Sequence, residues 1–408
     1  MYQIALYMGL LLLLGLVVMY ALGPQRANVL NHAYGTHYSD TFFFNKQFVS
    51  VVTAVVAFAV CAAVPYRWFT DHARKIFLIG LLASLLLVVC GAVLHLSFAT
   101  ETNGAYRWFY LGGLGSFQPS ELLKFGVLLF AAGFLGQRAG QGKINSLSDT
   151  LIPLAVVVGL ALMTIVVLQK DLGTGVSLVA LVLAVLVVSG MSWRVIGKIA
   201  GILVIGAVLL TVFSPHRIER VMTFFQGDSH QTTQKDDNNY HIQQARIAIG
   251  SGGLFGLGIG KSVQATGYLP EAINDSIFAI MGETFGLVGL LAILGLFTAL
   301  LLSLLRVAAR LPDMRLRLIV AGVFGWVASH VVLNVAAMTG VAPLTGIPLP
   351  LLSYGGTSML FVAAALGLAF QLSGFTSHKP LTEEGSNGKD FSSRRRLRRT
   401  RYASGSRL

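Results

Sequence analysis

IFAIMGETFGLVGLLAILGLFTALLLSLL, residues 277–305, runs for 29 residues with Glu283 as its one charged side chain. A helix needs about 20 apolar residues to cross the hydrocarbon of a bilayer, so this stretch is long enough to span it. Comparable runs occur at 4–22, 48–64, 76–98, 122–136, 151–168, 172–190, 195–213, 318–340 and 358–372. In lipid every backbone N–H and C=O must be satisfied within its own segment or in a closed barrel, and these runs lack the alternation of barrel strands. The expected fold is an all-α polytopic membrane protein with ten transmembrane helices and a long extracytoplasmic loop, about 214–276, between helices 7 and 8.

Composition agrees with lipid as the solvent. Hydrophobic residues make up 55% of the chain and charged residues 12%, about half the charged share of a soluble domain. The net charge of +13 is unevenly placed: Arg67, Arg74, Lys75, Arg138, Lys143, Arg194, Lys198, Arg306, Arg310, Arg315 and Arg317 fall on one side. The short loops of the other side hold only Arg26, Lys46, Arg107, Lys124 and Lys170. By the positive-inside rule both termini lie in the cytoplasm and the protein is multi-pass in the cytoplasmic membrane. The first apolar run lacks a basic n-region and a clear cleavage site, so it reads as a permanent helix. Cys61 and Cys90 lie inside apolar runs, where a thiol behaves as a small hydrophobe. Residues 1–376 form the membrane domain, and 377–408 are a basic, disordered tail whose RRRLRR run suits anionic headgroups better than nucleic acid.

The long loop has a polar first part, GDSHQTTQKDDNNY, followed by a glycine-rich stretch with alternating apolar residues that lies on or dips into the membrane interface. Its glycines serve either close approach of backbone to a ligand or the sharp turns of a re-entrant loop. GLGIGKS resembles a P-loop, but Phe255 stands where the phosphate-binding pattern needs glycine and no strand precedes it. SELLK is not the S-x-x-K acylation pattern, since Lys124 is four residues after Ser120. The Asp236, Asp237, Asn238, Asn239 cluster lacks the spacing and glycine of a calcium loop.

Ionisable residues at the mouths of helices carry more information. Asp275 precedes the eighth helix and Glu283 lies eight residues on; a carboxylate at membrane depth marks a functional site by default. The structural alternative for Asp275 is a helix cap, and for Glu283 a partner within the bundle. Before and within the fourth helix stand Arg107, Trp108, Gln118, Glu121 and Lys124. There Ser120 can cap the helix and Glu121 can pair with Lys124. Asp171 sits in the tight hairpin QKDLGTG, again as cap or ligand. PLTGIPLPLLSYGGTS, rich in Pro and Gly, suggests a re-entrant segment lining a cavity.

Taken together, RWFYLGGLGSFQPSELLKFG, QKDLGTG, IAIGSGGLFGLGIGKSVQATGYLPEAINDSIFAIMGE and PLTGIPLPLLSYGGTS resemble the SEDS family of shape, elongation, division and sporulation proteins. The likeness runs through most of the chain, and YLPEA-x-x-DSIFA with GKSVQ is closer to its division branch than to its elongation branch. The resemblance implies a peptidoglycan glycosyltransferase that polymerises lipid II at the outer face of the cytoplasmic membrane, at the division septum. It places the family's proposed catalytic aspartate at Asp275, and its Arg-Trp and Gln-Pro-Ser-Glu-x-x-Lys positions at Arg107, Trp108, Gln118, Pro119, Ser120, Glu121 and Lys124. Two departures are visible: Lys170 stands where the family has proline, and Thr284 replaces the second acid of a Glu-Glu pair.

The implied reaction is an inverting transfer in which Asp275 acts as general base on the acceptor hydroxyl. Arg107, Lys124, Arg246 and Lys261 are the candidates to neutralise the departing pyrophosphate, with Mg2+ or Mn2+ as the candidate cofactor. The implied partners are lipid II, a class B penicillin-binding protein transpeptidase, other division proteins and membrane lipids, with no nucleic acid. A lipid II flippase and a non-catalytic division scaffold are the alternatives, and broken helices with intramembrane charge suit a transporter as well as an enzyme.

Overall fold

In a computed structural model, the structure describes residues 2–102, 104–112, 115–212 and 237–376. The basic tail and loop residues 213–236 lie outside the described residues, while Asp237–Tyr240, the end of the polar stretch, open a helix. Twelve α-helices are present among the described residues: α1 Gln3–Tyr34, α2 Phe42–Ala63, α3 Tyr66–Asp71, α4 Ala73–Val88, α5 Pro119–Gly140, α6 Ile152–Leu162, α7 Leu172–Val188, α8 Trp193–Val212, α9 Asp237–Ser251, α10 Ile277–Arg310, α11 Met314–Met338 and α12 Gly356–Leu372. Strands β1 Phe109–Tyr110 and β2 Ser116–Phe117 form a two-residue antiparallel hairpin between α4 and α5. Wider π turns extend α4 through Val93 and lengthen α6 to Leu147–Leu168.

Eight helices among the described residues are long and apolar enough to cross a membrane. The two remaining expected spans correspond to α7, short at 17 residues because it starts directly after the hairpin at Asp171, and to α8. Thus the helical membrane fold holds, while the count of ten is not reached by length and composition. Helix α1 overruns its expected end at residue 22. It continues through Pro24 to Tyr34, and its 32 residues give a rod of roughly 48 Å against the ~30 Å hydrocarbon. Gly35, at φ 63°, ends it in the left-handed conformation and bonds back to the Asn31 carbonyl.

Without a hydrophobic drive between helices in lipid, contact depends on small residues that let backbones approach. A side chain on Gly126 of α5 would come within 2.6 Å of the Phe77 backbone of α4, and one on Gly80 within 2.7 Å of the Leu123 backbone. Gly367 of α12 lies in the same way against the Phe58 carbonyl of α2. The inner helices are α5, α11 and α12, with 78%, 67% and 72% of their most apolar stretches buried, against 22% for α2. The outer helices turn Leu6, Leu10, Leu13, Val52, Val56, Leu82 and Leu86 outward, where lipid covers them.

The connections divide into two sets at opposite ends of the bundle. At one end Gln3 accepts from Arg306 at 2.9 Å, the Tyr2 and Phe370 rings meet at a tilt, and Gln371 donates to the Ala62 and Val64 carbonyls. At the other end, Arg107 meets the 170 hairpin, Thr357 donates to the Ser116 carbonyl, and Tyr354 N–H donates to the Ile273 carbonyl. The second end holds Asp275.

Candidate active site

The 252–258 glycines answer to a break in α10. Gly286 has φ 67° and ψ −168°, which interrupts the helix. The freed backbone groups are taken up by the loop: Leu257 N–H donates to the Glu283 carbonyl at 2.8 Å and Gly258 N–H to the Thr284 carbonyl at 3.1 Å. In return Leu287 N–H donates to the Gly253 carbonyl at 2.9 Å and Val288 N–H to the Leu254 carbonyl at 3.1 Å. A broken helix is tolerated at membrane depth when protein re-satisfies its backbone. A β-carbon at Gly252 would collide with the Gly282 carbonyl, and one at Gly256 with that of Thr284. The close approach expected from these glycines is therefore to another segment's backbone.

Glu283 locks this arrangement from inside. It is buried, and its carboxylate accepts from Ser262 Oγ at 2.5 Å, Val263 N–H at 3.0 Å and Gln264 N–H at 3.2 Å. Of the two roles open to it, the structure displays the bundle partner. Lys261 precedes this anchored turn with its side chain exposed, while the Gly260 carbonyl accepts from Gln25 of α1 at 2.9 Å.

Asp275 stands two residues before the start of α10, in a turn whose cap position is Ser276. Three elements converge on that turn. Asn334 of α11, itself buried, donates from Nδ2 to the Asp275 carbonyl at 2.7 Å and to the Ile347 carbonyl at 2.8 Å. Tyr354 bonds Ile273 from the 341–355 segment. His241 of α9 lies 2.5 Å from Ser276 Oγ, whose proton goes to the Pro270 carbonyl at 2.8 Å, so Nε2 is the donor of that pair. Burial pushes the His241 imidazole below the usual histidine range, against a smaller opposing pull from Glu271. Asp275 is partly exposed in this cradle.

The second group surrounds the 170 hairpin. Asp171 caps α7 by accepting from Thr174 N–H at 3.0 Å and Thr174 Oγ1 at 2.8 Å, and it also accepts from Gln118 Nε2 at 3.2 Å. Arg107 donates to the Lys170 carbonyl at 3.0 Å. Trp108, half-buried, leads directly into β1. Ser120 does not cap α5: Gln118 holds the cap position without a side-chain cap bond, Pro119 opens the helix, and Ser120 is buried within it. Glu121 and Lys124 pair at 2.8 Å, fully enclosed, with the Lys124 ammonium 3.3 Å from His330 Nε2 and 4.7 Å over the Trp326 ring. Lys124 is thus spent inside the bundle.

Arg246 extends from α9 and donates to the Thr339 and Gly340 carbonyls, at 3.4 and 3.0 Å, complementing the end of α11. The structure therefore gathers Arg107 and Gln118 around one hairpin, with Trp108 next to Arg107 in the chain, and Lys261 precedes the turn that Glu283 anchors. The fold assigns Glu121 and Lys124 to the core. Asn334, His330, His241 and Ser262 were missed in the sequence. The available signal for the first two was a His and an Asn four apart in the apolar half of a helix, which places them on one face.

A family model described as cell cycle protein, covering FtsW, RodA and SpoVE, matches residues 2–378. A protein of Nitrosomonas europaea named "Probable peptidoglycan glycosyltransferase FtsW" is 30% identical over 89% of this chain and 90% of its own length. Stage V sporulation protein E of Bacillus subtilis is 31% identical over 90% of this chain and 95% of its own. Among solved structures, a chain from a peptidoglycan synthase complex coordinating polymerization and crosslinking superposes with TM-score 0.69 at 26% identity, over 92% of this chain and 97% of that one. The rod shape determining protein RodA of Thermus thermophilus gives TM-score 0.65 at 25% identity, over 93% and 98%.

Proposed function

Since this chain belongs to the FtsW, RodA and SpoVE family of cell cycle proteins, we propose that it is a peptidoglycan glycosyltransferase that polymerises lipid II into glycan strands at the outer face of the cytoplasmic membrane, with Asp275 as general base. The observation that carries the reading is the cradle of Asp275: a partly exposed carboxylate in a turn braced by α9, α11 and the 341–355 segment. Donor and acceptor are both lipid-anchored, so the reaction belongs at a membrane surface. Asp275 takes the proton of the acceptor sugar's 4-hydroxyl as its oxygen attacks the donor's anomeric carbon, and undecaprenyl pyrophosphate leaves from the opposite face. A base so placed contributes typically ~10²–10⁴-fold. Of the four candidate cations, Lys124 is enclosed with Glu121, which leaves Arg107, Arg246 and Lys261 to face the departing phosphates, the first two also donating to backbone carbonyls.

Among the described residues no three His, Cys, Asp or Glu side chains converge to cage a metal. A Mg2+ or Mn2+ ion in this reaction would be carried by one carboxylate and the substrate's pyrophosphate, the usual way Mg2+ is held. Division is the process we assign, on the FtsW names of the relatives. The proposed partner is a class B penicillin-binding protein, since the structural relative comes from a complex that couples polymerization to crosslinking. Asp275→Asn tests the reading. Asparagine keeps the size but takes no proton at neutral pH, so strand formation from lipid II by the purified, monodisperse variant should fall roughly 10²-fold or more. Near-normal strand formation would remove Asp275 as the base and turn attention to lipid II flipping.

A further inference from the structure

The loop that heals the break in α10 also presents an apolar tip. Leu254, Phe255, Leu257 and Ile259 are 61%, 80%, 40% and 57% exposed, although the loop backbone at Gly253, Leu254, Leu257 and Gly258 is tied to Leu287, Val288, Glu283 and Thr284. On α10 itself, Ile277–Thr284 are buried by protein, and outward exposure begins at Leu287 and Val288, at 49% and 53%. Counting from Arg306, the first basic residue at the opposite end, the ~20 residues that span the hydrocarbon reach back to Gly286. The break, the start of the lipid-facing surface and the apolar tip thus share one level. The tip continues a surface that lipid already covers.

We propose that residues 254–259 anchor the chain in the acyl chains of the outer leaflet, at the boundary between hydrocarbon and headgroups, and so set the height of Asp275 above the membrane. The loop is fastened to α10 by four backbone bonds and by the Glu283 carboxylate, so it cannot sink without the helix. From Gly286 to Ile277 the helix rises about 14 Å, and Asp275 lies just beyond. The headgroup layer is only about 5–7 Å deep on each side. A lipid-linked saccharide keeps its phosphates in that layer and its sugars beyond it, which is where the anchor holds the carboxylate. This height argument rests on the reading of Asp275 as base; the depth of the loop does not.

The test places a nitroxide at Phe255→Cys in a Cys61→Ala, Cys90→Ala background reconstituted into liposomes. The probes are oxygen, which concentrates among acyl chains, and an aqueous nickel chelate. Oxygen should dominate at residue 255, whereas the chelate should dominate at Val341→Cys in the 341–355 segment. Equal chelate access at the two positions overturns the anchor, whatever the protein catalyses. A label at 255 shielded from both reagents overturns it too, in favour of a protein neighbour. For the height, Phe255→Asp should lower strand formation from lipid II embedded in bilayers at least tenfold while sparing it in detergent micelles. Unchanged activity in bilayers overturns the height-setting role alone.

Discussion

Lys170 holds φ at 52°, in the left-handed region, while its carbonyl receives Arg107. A β-carbon there costs about 1–2 kcal/mol. Lys170→Gly should therefore stabilise the protein by roughly 0.5–1 kcal/mol, after the extra freedom glycine gives the unfolded chain, read as a raised thermal midpoint in detergent. Lys170→Pro should do the reverse, because the ring locks φ near −65°. His241 gives a pH prediction: its folded pKa is depressed by burial, so the unfolded chain binds more protons below about 6.5 and stability falls as pH drops through that range. His241→Gln, which keeps a donor near the Nε2 position, should flatten this dependence between pH 7 and 5. At this scale the sequence was legible where chemistry is local. The capping role of Asp171 and the Glu121–Lys124 pair follow from spacing alone, but the displacement of Ser120 from the cap by Pro119 does not, and Asn334 acts through partners 59 and 13 residues away.

Among the elements, the unit of loop 252–264 with the broken α10 decides the geometry. Gly256 has φ 80° and sits against the Thr284 carbonyl, so Gly256→Val meets both backbone strain and collision. We expect a loss of roughly 2 kcal/mol or more, with faster proteolysis within 252–264 than in the native protein. Glu283→Gln should cost about 1–3 kcal/mol, since one carboxylate oxygen that accepts from the loop becomes a donor facing other donors. Sequence could show that this loop was unusual, because helix connections rarely need so much glycine. It could not show that the glycines serve the loop's contact with α10, because periodicity carries through Gly286 without a gap; only the φ of that residue reveals the break. The end of α1 was hidden for a similar reason. Hydropathy stops at residue 22, whereas backbone hydrogen bonding continues past Pro24 to the Gly35 cap.

For the whole molecule, the two sets of connections should face opposite sides of the membrane. With Cys61 and Cys90 replaced, Val341→Cys should react with an impermeant thiol reagent in intact cells and Arg310→Cys only after lysis, both positions being exposed. Labelling of Arg310→Cys from outside would reverse the orientation and remove the site from the outer face. Alternation of spans and the charge bias are the sequence grounds for this expectation. Which helices are inner was less legible, since α5 is less hydropathic than α4 yet far more buried. The pairing of helices also has a consequence for how the chain is made. Helices α1 and α2 are synthesised first, but α1 meets α10 through Gln3 and Arg306, and α2 meets α12 through Gly367 and Gln371. Their lasting neighbours leave the ribosome some 300 residues later. Until then the nascent chain must wait in the bilayer with its opening pair loosely held, and a ribosome that stalls before α12 releases a chain whose α2 still lacks the partner that completes it, a natural mark for the cell's membrane proteases.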